Sequence, residues 1–403
     1  MIRISAIWLS CLLGCCFFTT TQAQYFSMDN VRRVTIPFRL VRNLVVIELK
    51  INNKGPYNFV LDTGVGFMLI TEPTLVDSIK MEGKRTIKMS GFGEGDDFDA
   101  YVTPPLKIDI PGLISHNVAA AILKKDHFSL SNYAGIAIHG LLGYEFFNHL
   151  AVNINFTDSV IRVSEPKNMR FFKKGTSIPI TIENRKPYLN TKVVYANGTA
   201  INSKLIIDLG AGHFISLENV PNKNALQKKF ISASLGMGIR GLISGSLSRI
   251  QEVDLGKYKL KNVIAAFPDE ERSFSVPRDG NIGISLLKKF DIIFDYPNGL
   301  LYLKSRAGFG AVDEHDMSGL WYYAAGDGFN HLIINKVEPG SAADDIGLEK
   351  DDEIVLINFR AVSEMSLQHI DELFKSQNGR TYLLRIYRDK KYYNIPITLK
   401  RRI

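Results

Sequence analysis

Two stretches of the chain share one pattern of apolar and polar positions. Phe59-Val60-Leu61 ends at Asp62, turns through Thr63, Gly64 and Gly66, and resumes as Phe67-Met68-Leu69-Ile70. Leu205-Ile206-Ile207 ends at Asp208, turns through Leu209, Gly210 and Gly212, and resumes as Phe214-Ile215-Ser216-Leu217. Short apolar runs bounded by glycine predict buried strands. A carboxylate between two buried strands is costly unless it is paired or hydrogen-bonded. For a single copy, a turn that uses Asp-Thr-Gly for its backbone chemistry is the plainer reading.

The surroundings repeat as well. Ile36-Pro37 precedes the first copy and Ile178-Pro179 the second. Asn53-Lys54-Gly55 and Ala196-Asn197-Gly198 occupy the turns before the two Asp strands. Downstream, His139 to Phe147, Val152 to Phe156 and Val160 to Val163 align without a gap onto Asp279 to Leu287, Ile292 to Tyr296 and Leu300 to Leu303. A repeat of this kind implies two similar lobes facing each other.

On these residues the chain resembles the bilobal aspartic proteases of the pepsin and retropepsin type, bacterial members included, from about residue 31 to residue 306. The resemblance implies a mostly β fold, with two similar lobes enclosing a cleft and Asp62 and Asp208 as its catalytic pair. Leu141-Leu142-Gly143 fits the family's later strand well, and Asn281-Ile282-Gly283 fits it in part. Gly64 and Gly210 would allow the tight turns, and Thr63 would interlock the lobes through the opposite motif's backbone. Leu209 departs from the family, because it has no donor where a second Thr or Ser is usual. A buried group left unpaired there costs roughly 1–3 kcal/mol. Pepsins also carry a hydroxyl residue three positions after each Asp, and here those positions are Val65 and Ala211. A substrate-covering flap would use Gly91, Phe92, Gly93 and Gly95, whose glycines permit both turn and motion. Leu235 to Gly241 is a second Gly-rich stretch, in lobe 2. His139 and His213 read as structural residues.

The implied chemistry is peptide-bond hydrolysis. Two adjacent carboxyls share one proton and activate a water, with no covalent intermediate and no cofactor or metal. The substrate would be a peptide or an unfolded protein. One chain supplies both aspartates, so a monomer suffices. The alternative, motivated by Leu209, is a weak or inactive pseudoprotease serving as a peptide-binding module.

The remainder of the chain refines this picture. Residues 1–23 carry one charge, Arg3, and an apolar stretch, Ile7 to Phe18, too short to span a bilayer comfortably. With Ala23 before Gln24 this reads as a cleaved signal peptide. Leu12-Leu13-Gly14-Cys15 offers a rival lipoprotein site, but Cys16-Phe17-Phe18 continues the apolar core and favours the first reading. All 3 cysteines lie in this segment. The mature chain would be an exported one, periplasmic or secreted, without disulfides, cysteine nucleophile or thiolate metal site. The net charge of +8 is scattered in Lys pairs along the chain, which reads as solvated faces and excludes a nucleic-acid footprint.

The expected divisions are a first lobe at 24–165, a second at 166–306, a linker at 307–316 and a C-terminal unit at 317–403. That unit shows strands at His331 to Val337 and Glu353 to Asn358, an amphipathic helix at Ser366 to Ser376, and closing strands at Tyr382 to Tyr387 and Tyr392 to Leu399. Pro339-Gly340-Ser341-Ala342-Ala343 running into Gly347-Leu348 resembles a bacterial-type PDZ domain, a small α+β fold. The resemblance implies that Gly319, Leu320, Trp321 and Tyr322 form a loop whose N–H groups capture a peptide's C-terminal carboxylate. Trp321 stands where a small residue is usual.

Overall fold

Each Asp strand closes a hairpin. Leu44–Ile51 and Lys54–Leu61 pair antiparallel, with Val46 opposite Val60 and Ile47 opposite Phe59. Asn52 and Asn53 turn the chain at φ 49° and 67°, a left-handed conformation that asparagine tolerates. The second hairpin joins Lys186–Val194 to Ala200–Asp208, with Tyr188 opposite Ile206. A computed structural model describes residues 25–28, 31–75, 85–89, 98–126, 128–220, 223–226, 229–238, 241–269 and 274–403. The presumptive signal segment and the flap residues Gly91, Phe92, Gly93 and Gly95 lie outside the described residues.

In both lobes a later strand threads between the Asp strand and the strand after it. Gly140–Leu142 runs parallel to Lys54–Leu61 and antiparallel to Met68–Ile70. Gly280–Gly283 runs parallel to Ala200–Asp208 and antiparallel to Ile215–Leu217. Both segments thread in the same way, including the one whose sequence fits the family only in part. The approach is too tight for a side chain at its start: a Cβ on Gly140 would lie 2.2 Å from the Leu69 carbonyl oxygen, and one on Gly280 1.9 Å from that of Ser216.

The lobes meet in a shared six-stranded sheet, ordered Thr176–Pro179, Leu300–Ser305, Phe290–Asp295, Ala151–Asn155, Val160–Ser164, Val34–Pro37. Its central pairing sets Asn153 opposite Ile293, flanked by Val152 opposite Phe294 and Ile154 opposite Ile292. The sequence repeat superposes 153 on 293, so this pairing is its own two-fold mate. The duplicated Ile-Pro motifs form the two outer strands, where proline's missing donor costs nothing. One apolar core runs through both lobes and includes Phe59, Leu142, Leu209, Ile282 and Phe294.

The C-terminal unit has its own core, centred on Ile334, Ile354, Ile370, Phe374 and Leu384. Its sheet runs Leu320–Ala325, His331–Val337, Glu353–Ile357, Thr381–Arg388, Lys391–Thr398. The helix Leu367–Phe374 starts at Ser366, whose side chain accepts the N–H of His369; an N-cap of this kind satisfies one orphan donor. Leu367, Ile370 and Phe374 are its buried face, whereas Leu373 is only partly buried. The architecture is thus mostly β, two similar lobes and a small α+β unit.

Candidate active site

Asp62 and Asp208 end their strands at mirrored turns. Each carboxylate accepts a hydrogen bond from the amide two residues on: Gly64 N–H to Asp62 at 2.7 Å and Gly210 N–H to Asp208 at 3.0 Å. The two side chains meet across the lobe boundary, near enough for the charge of one to act on the other. Each carboxyl lies against the opposite turn's glycine. A Cβ on Gly64 would sit 2.8 Å from both oxygens of Asp208, and one on Gly210 would sit 2.3 Å from Cγ of Asp62. The carboxyl of Asp62 is pushed well above the usual carboxylate range. Burial is the main cause and the charge of Asp208 the next, opposed by the Gly64 N–H and by the Lys186 ammonium.

Thr63 ties the lobes together. Its hydroxyl donates to the carbonyl of Ile207 at 2.6 Å and accepts the N–H of Leu209 at 2.9 Å. Leu209 offers no return bond; its side chain is fully buried in the core that spans both lobes. A hydroxyl placed there exchanges apolar packing for a polar group in a dry site. Leu209→Thr is therefore expected to destabilise the protein by roughly 1–3 kcal/mol. A thermal melt checks this, and a higher melting temperature would show that restoring the second interlock outweighs the lost packing.

Two further turns brace the pair, one from each lobe. Arg185 donates to the carbonyl of Gly66 in the first catalytic loop at 3.4 Å. Asn43 donates to the Ser285 hydroxyl at 3.2 Å, and Ser285 in turn donates to the carbonyl of Gly212 in the second loop at 2.6 Å. His213 hydrogen-bonds the Asn281 side chain and not a catalytic carboxyl; burial pushes its pKa down and keeps the ring neutral. His139 accepts the Asn58 N–H. Both histidines thus hold structure. Glu145, shortly after the threading strand of lobe 1, is buried and accepts the Met68 N–H at 3.3 Å, while its other oxygen has no partner among the described residues. Burial pushes its carboxyl up to about 7. Among the described residues no group of three or more His, Cys, Asp or Glu side chains could hold a metal ion.

An aspartyl-protease family model matches residues 47–146, and a PDZ-domain model matches residues 333–388. The chain carries an aspartyl protease domain and a C-terminal PDZ domain. Among solved structures it is similar to the aspartic proteinase from Irpex lacteus, at 13% identity and a TM-score of 0.46, over 69% of this chain and 99% of that one. No curated protein matches. In lobe 1 the strands on either side of the expected flap, Arg85–Met89 and Phe98–Val102, pair antiparallel. In lobe 2 the Gly-rich stretch also forms a hairpin, Ile231–Gly238 with Gly241–Leu255.

The PDZ groove is already in use. Of the four residues Gly319, Leu320, Trp321 and Tyr322, the first donates its N–H to Asp316 at 2.6 Å and the second to the Ser318 hydroxyl at 3.1 Å. Trp321 and Tyr322 belong to the edge strand Leu320–Ala325. Lobe 1 docks between that strand and the helix Leu367–Phe374. Arg42 forms a two-pronged ion pair with Asp371, 2.9 Å at each contact, and also donates to the carbonyls of Tyr133 and Tyr322. Its guanidinium stacks over the rings of Tyr133 and Tyr322, at 4.4 and 5.0 Å. Asn132 donates to the carbonyl of Ala324 at 2.9 Å. The groove's remaining space is a cavity of about 290 Å³ between Leu40, Ala134, Leu332, Leu367 and Ile370.

Sequence reasoning missed several groups around the dyad. Lys186 lies close enough to act on both aspartates, and the buried Glu218–Arg278 pair stands nearby. Tyr296 is buried with its pKa driven up by burial and by both aspartates. Counting back from each Asp across its hairpin would have found Lys186; the other groups come from segments remote in sequence.

Proposed function

We propose that the protein is an exported aspartic endopeptidase in which Asp62 and Asp208 activate a water to hydrolyse peptide bonds. The observation that carries this reading is the pair of buried carboxyls brought together on mirrored turns and interlocked by Thr63. Buried carboxyls in contact cannot both ionise, so the pair keeps one proton. The ionised member takes a proton from the attacking water while the protonated member donates to the carbonyl oxygen. The resulting tetrahedral adduct collapses as the amine leaves with a proton. The substrate is a peptide or an unfolded protein strand. Export rests on the apolar segment before Ala23. Leu209 supports the alternative of a binding-only module, but Thr63 still supplies one complete interlock and both carboxyls are in place.

A pH–rate profile of kcat/KM on one peptide, using mature protein that should begin at Gln24, tests the proposal. Val65 and Ala211 have no side-chain donor for the carboxylates, and burial raises the pKa of Asp62. A missing donor to the charged form leaves that rise less opposed. The bell should therefore centre at weakly acidic to near-neutral pH. Val65→Ser and Ala211→Ser add a donor to the charged form and should move it to lower pH. A strongly acidic optimum that neither substitution moves would defeat the argument, and an absence of hydrolysis at every pH would defeat the enzyme reading.

A further inference from the structure

The two halves of the dyad share one plan but have different linings. In lobe 1 the pairing of the two hairpin strands ends at Val46 opposite Val60, and Leu44 and Asp62 lie just beyond it at the same end of the hairpin. In lobe 2 it ends at Tyr188 opposite Ile206, and Lys186 and Asp208, the first residue of one strand and the last of the other, take the matching places. Leu44 belongs to an apolar cluster with Leu69, Ile138 and Leu141. The lobe-2 positions that match these three, through the pairings of Leu141 with Leu69 and Asn281 with Ser216, are Ser216, Arg278 and Asn281. An apolar face has become a polar one.

Most of that polar face is internally satisfied. Arg278 pairs with Glu218 at 3.0 Å, with the two side chains only 7% and 3% exposed. Asn281 donates to Glu218 at 3.4 Å and meets His213 on its other side. The ammonium of Lys186 differs, forming no hydrogen bond or ion pair with another described residue. It follows a tight turn, with Asn184 and Arg185 at φ 45° and 62°, and that turn is pinned to the first catalytic loop by Arg185. The charged and titratable groups acting on its ammonium are Asp62, Asp208, Glu218 and Arg278; Asp208 also acts on His213, and both aspartates act on Tyr296. Burial lowers the pKa of Lys186 and Arg278 lowers it further, while the two aspartates and Glu218 oppose this.

We propose that Lys186 is a positioning residue for the dyad: held at the strand end beside that of Asp208, its ammonium favours ionisation of the pair and sets the pH range over which the two carboxyls share one proton. The proposal rests on the peptidase reading only for its effect on turnover, because the proton distribution can be measured without substrate.

The test uses the full chain with Lys186→Leu, which copies Leu44 of the other lobe, Lys186→Met, which keeps the length of the stem, and Lys186→Arg, which keeps the charge. The readouts are the 13C titration of the Asp62 and Asp208 carboxyls and the pH dependence of kcat/KM. A nearby opposite charge moves a carboxyl by about 1–3 pH units. The Leu and Met variants should raise the dyad's upper apparent pKa by about one pH unit, the low end of that range, and the Arg variant should restore it. Folded Leu or Met variants that titrate like the wild type would overturn the proposal. A raised titration in a protein without turnover would support it while sinking the peptidase reading. Turnover with an unmoved titration would do the reverse.

Discussion

Asparagine at position 208 will abolish turnover while the protein stays folded. Asp208→Asn keeps shape and volume, and its carbonyl oxygen can still accept the Gly210 N–H that Asp208 accepts at 3.0 Å. What disappears is the ability to exchange a proton with Asp62 and with water. General acid–base groups of this kind contribute about 10²–10⁴-fold, so kcat should fall by about that factor or below detection, and Asp62→Asn should behave alike. Stability should hold or rise, because one of two buried carboxyls in contact has been neutralised. The measurement is single-turnover hydrolysis of a denatured protein beside a thermal melt. Equal, undetectable hydrolysis in wild type and both variants would leave peptide binding as the surviving function.

Gly210→Ala should be nearly as damaging for a different reason. Its new methyl would lie 2.3 Å from Cγ and from one carboxyl oxygen of Asp62, and 2.6 Å from the other. No rotamer of alanine relieves that contact, so the Asp62 carboxyl must swing out of place or the two turns must move apart. Forced overpacking costs typically about 1–3 kcal/mol, and a displacement of about 1 Å at reacting groups can cost about 10²-fold in rate. Gly64→Ala should follow the same course more mildly, since its methyl would stand 2.8 Å from the Asp208 oxygens. The ordering is the useful part: Gly210→Ala should lose more kcat and more melting temperature than Gly64→Ala. A Gly210→Ala protein with wild-type kcat would mean that the carboxyls do not meet in solution.

The legible parts of this molecule were those written twice. Asp62 and Asp208 with their glycines, the threading strands and the outer Ile-Pro strands all appear as repeated sequence, and each repeat is a repeated piece of backbone. Thr63 was expected from the resemblance to reach the opposite motif's backbone, and it bonds the carbonyl of Ile207 and the N–H of Leu209. The polar face of lobe 2 was illegible because Lys186, Glu218, Arg278 and Asn281 come from four separate strands and loops. No local period joins them, and only the strand register does. The docking of the PDZ domain was hidden for a similar reason. Arg42 sits in a two-residue turn that reads as solvated, and its partner Asp371 looks like the polar side of an amphipathic helix.

The side chains that hold lobe 1 to the PDZ domain occupy the edge-strand carbonyls of Tyr322 and Ala324. A peptide strand adding to that edge would need the same carbonyls. Intramolecular docking and ligand capture at this edge are therefore mutually exclusive. Any ligand binds with its intrinsic affinity reduced by the free energy of separating the two domains. The linkage is reciprocal: whatever tightens the Arg42–Asp371 clamp weakens peptide capture, and a captured peptide releases the hairpin whose neighbouring residue, Asn43, braces the second catalytic loop. The C-terminal domain therefore behaves thermodynamically as a competitor for lobe 1 before it can serve as a receptor.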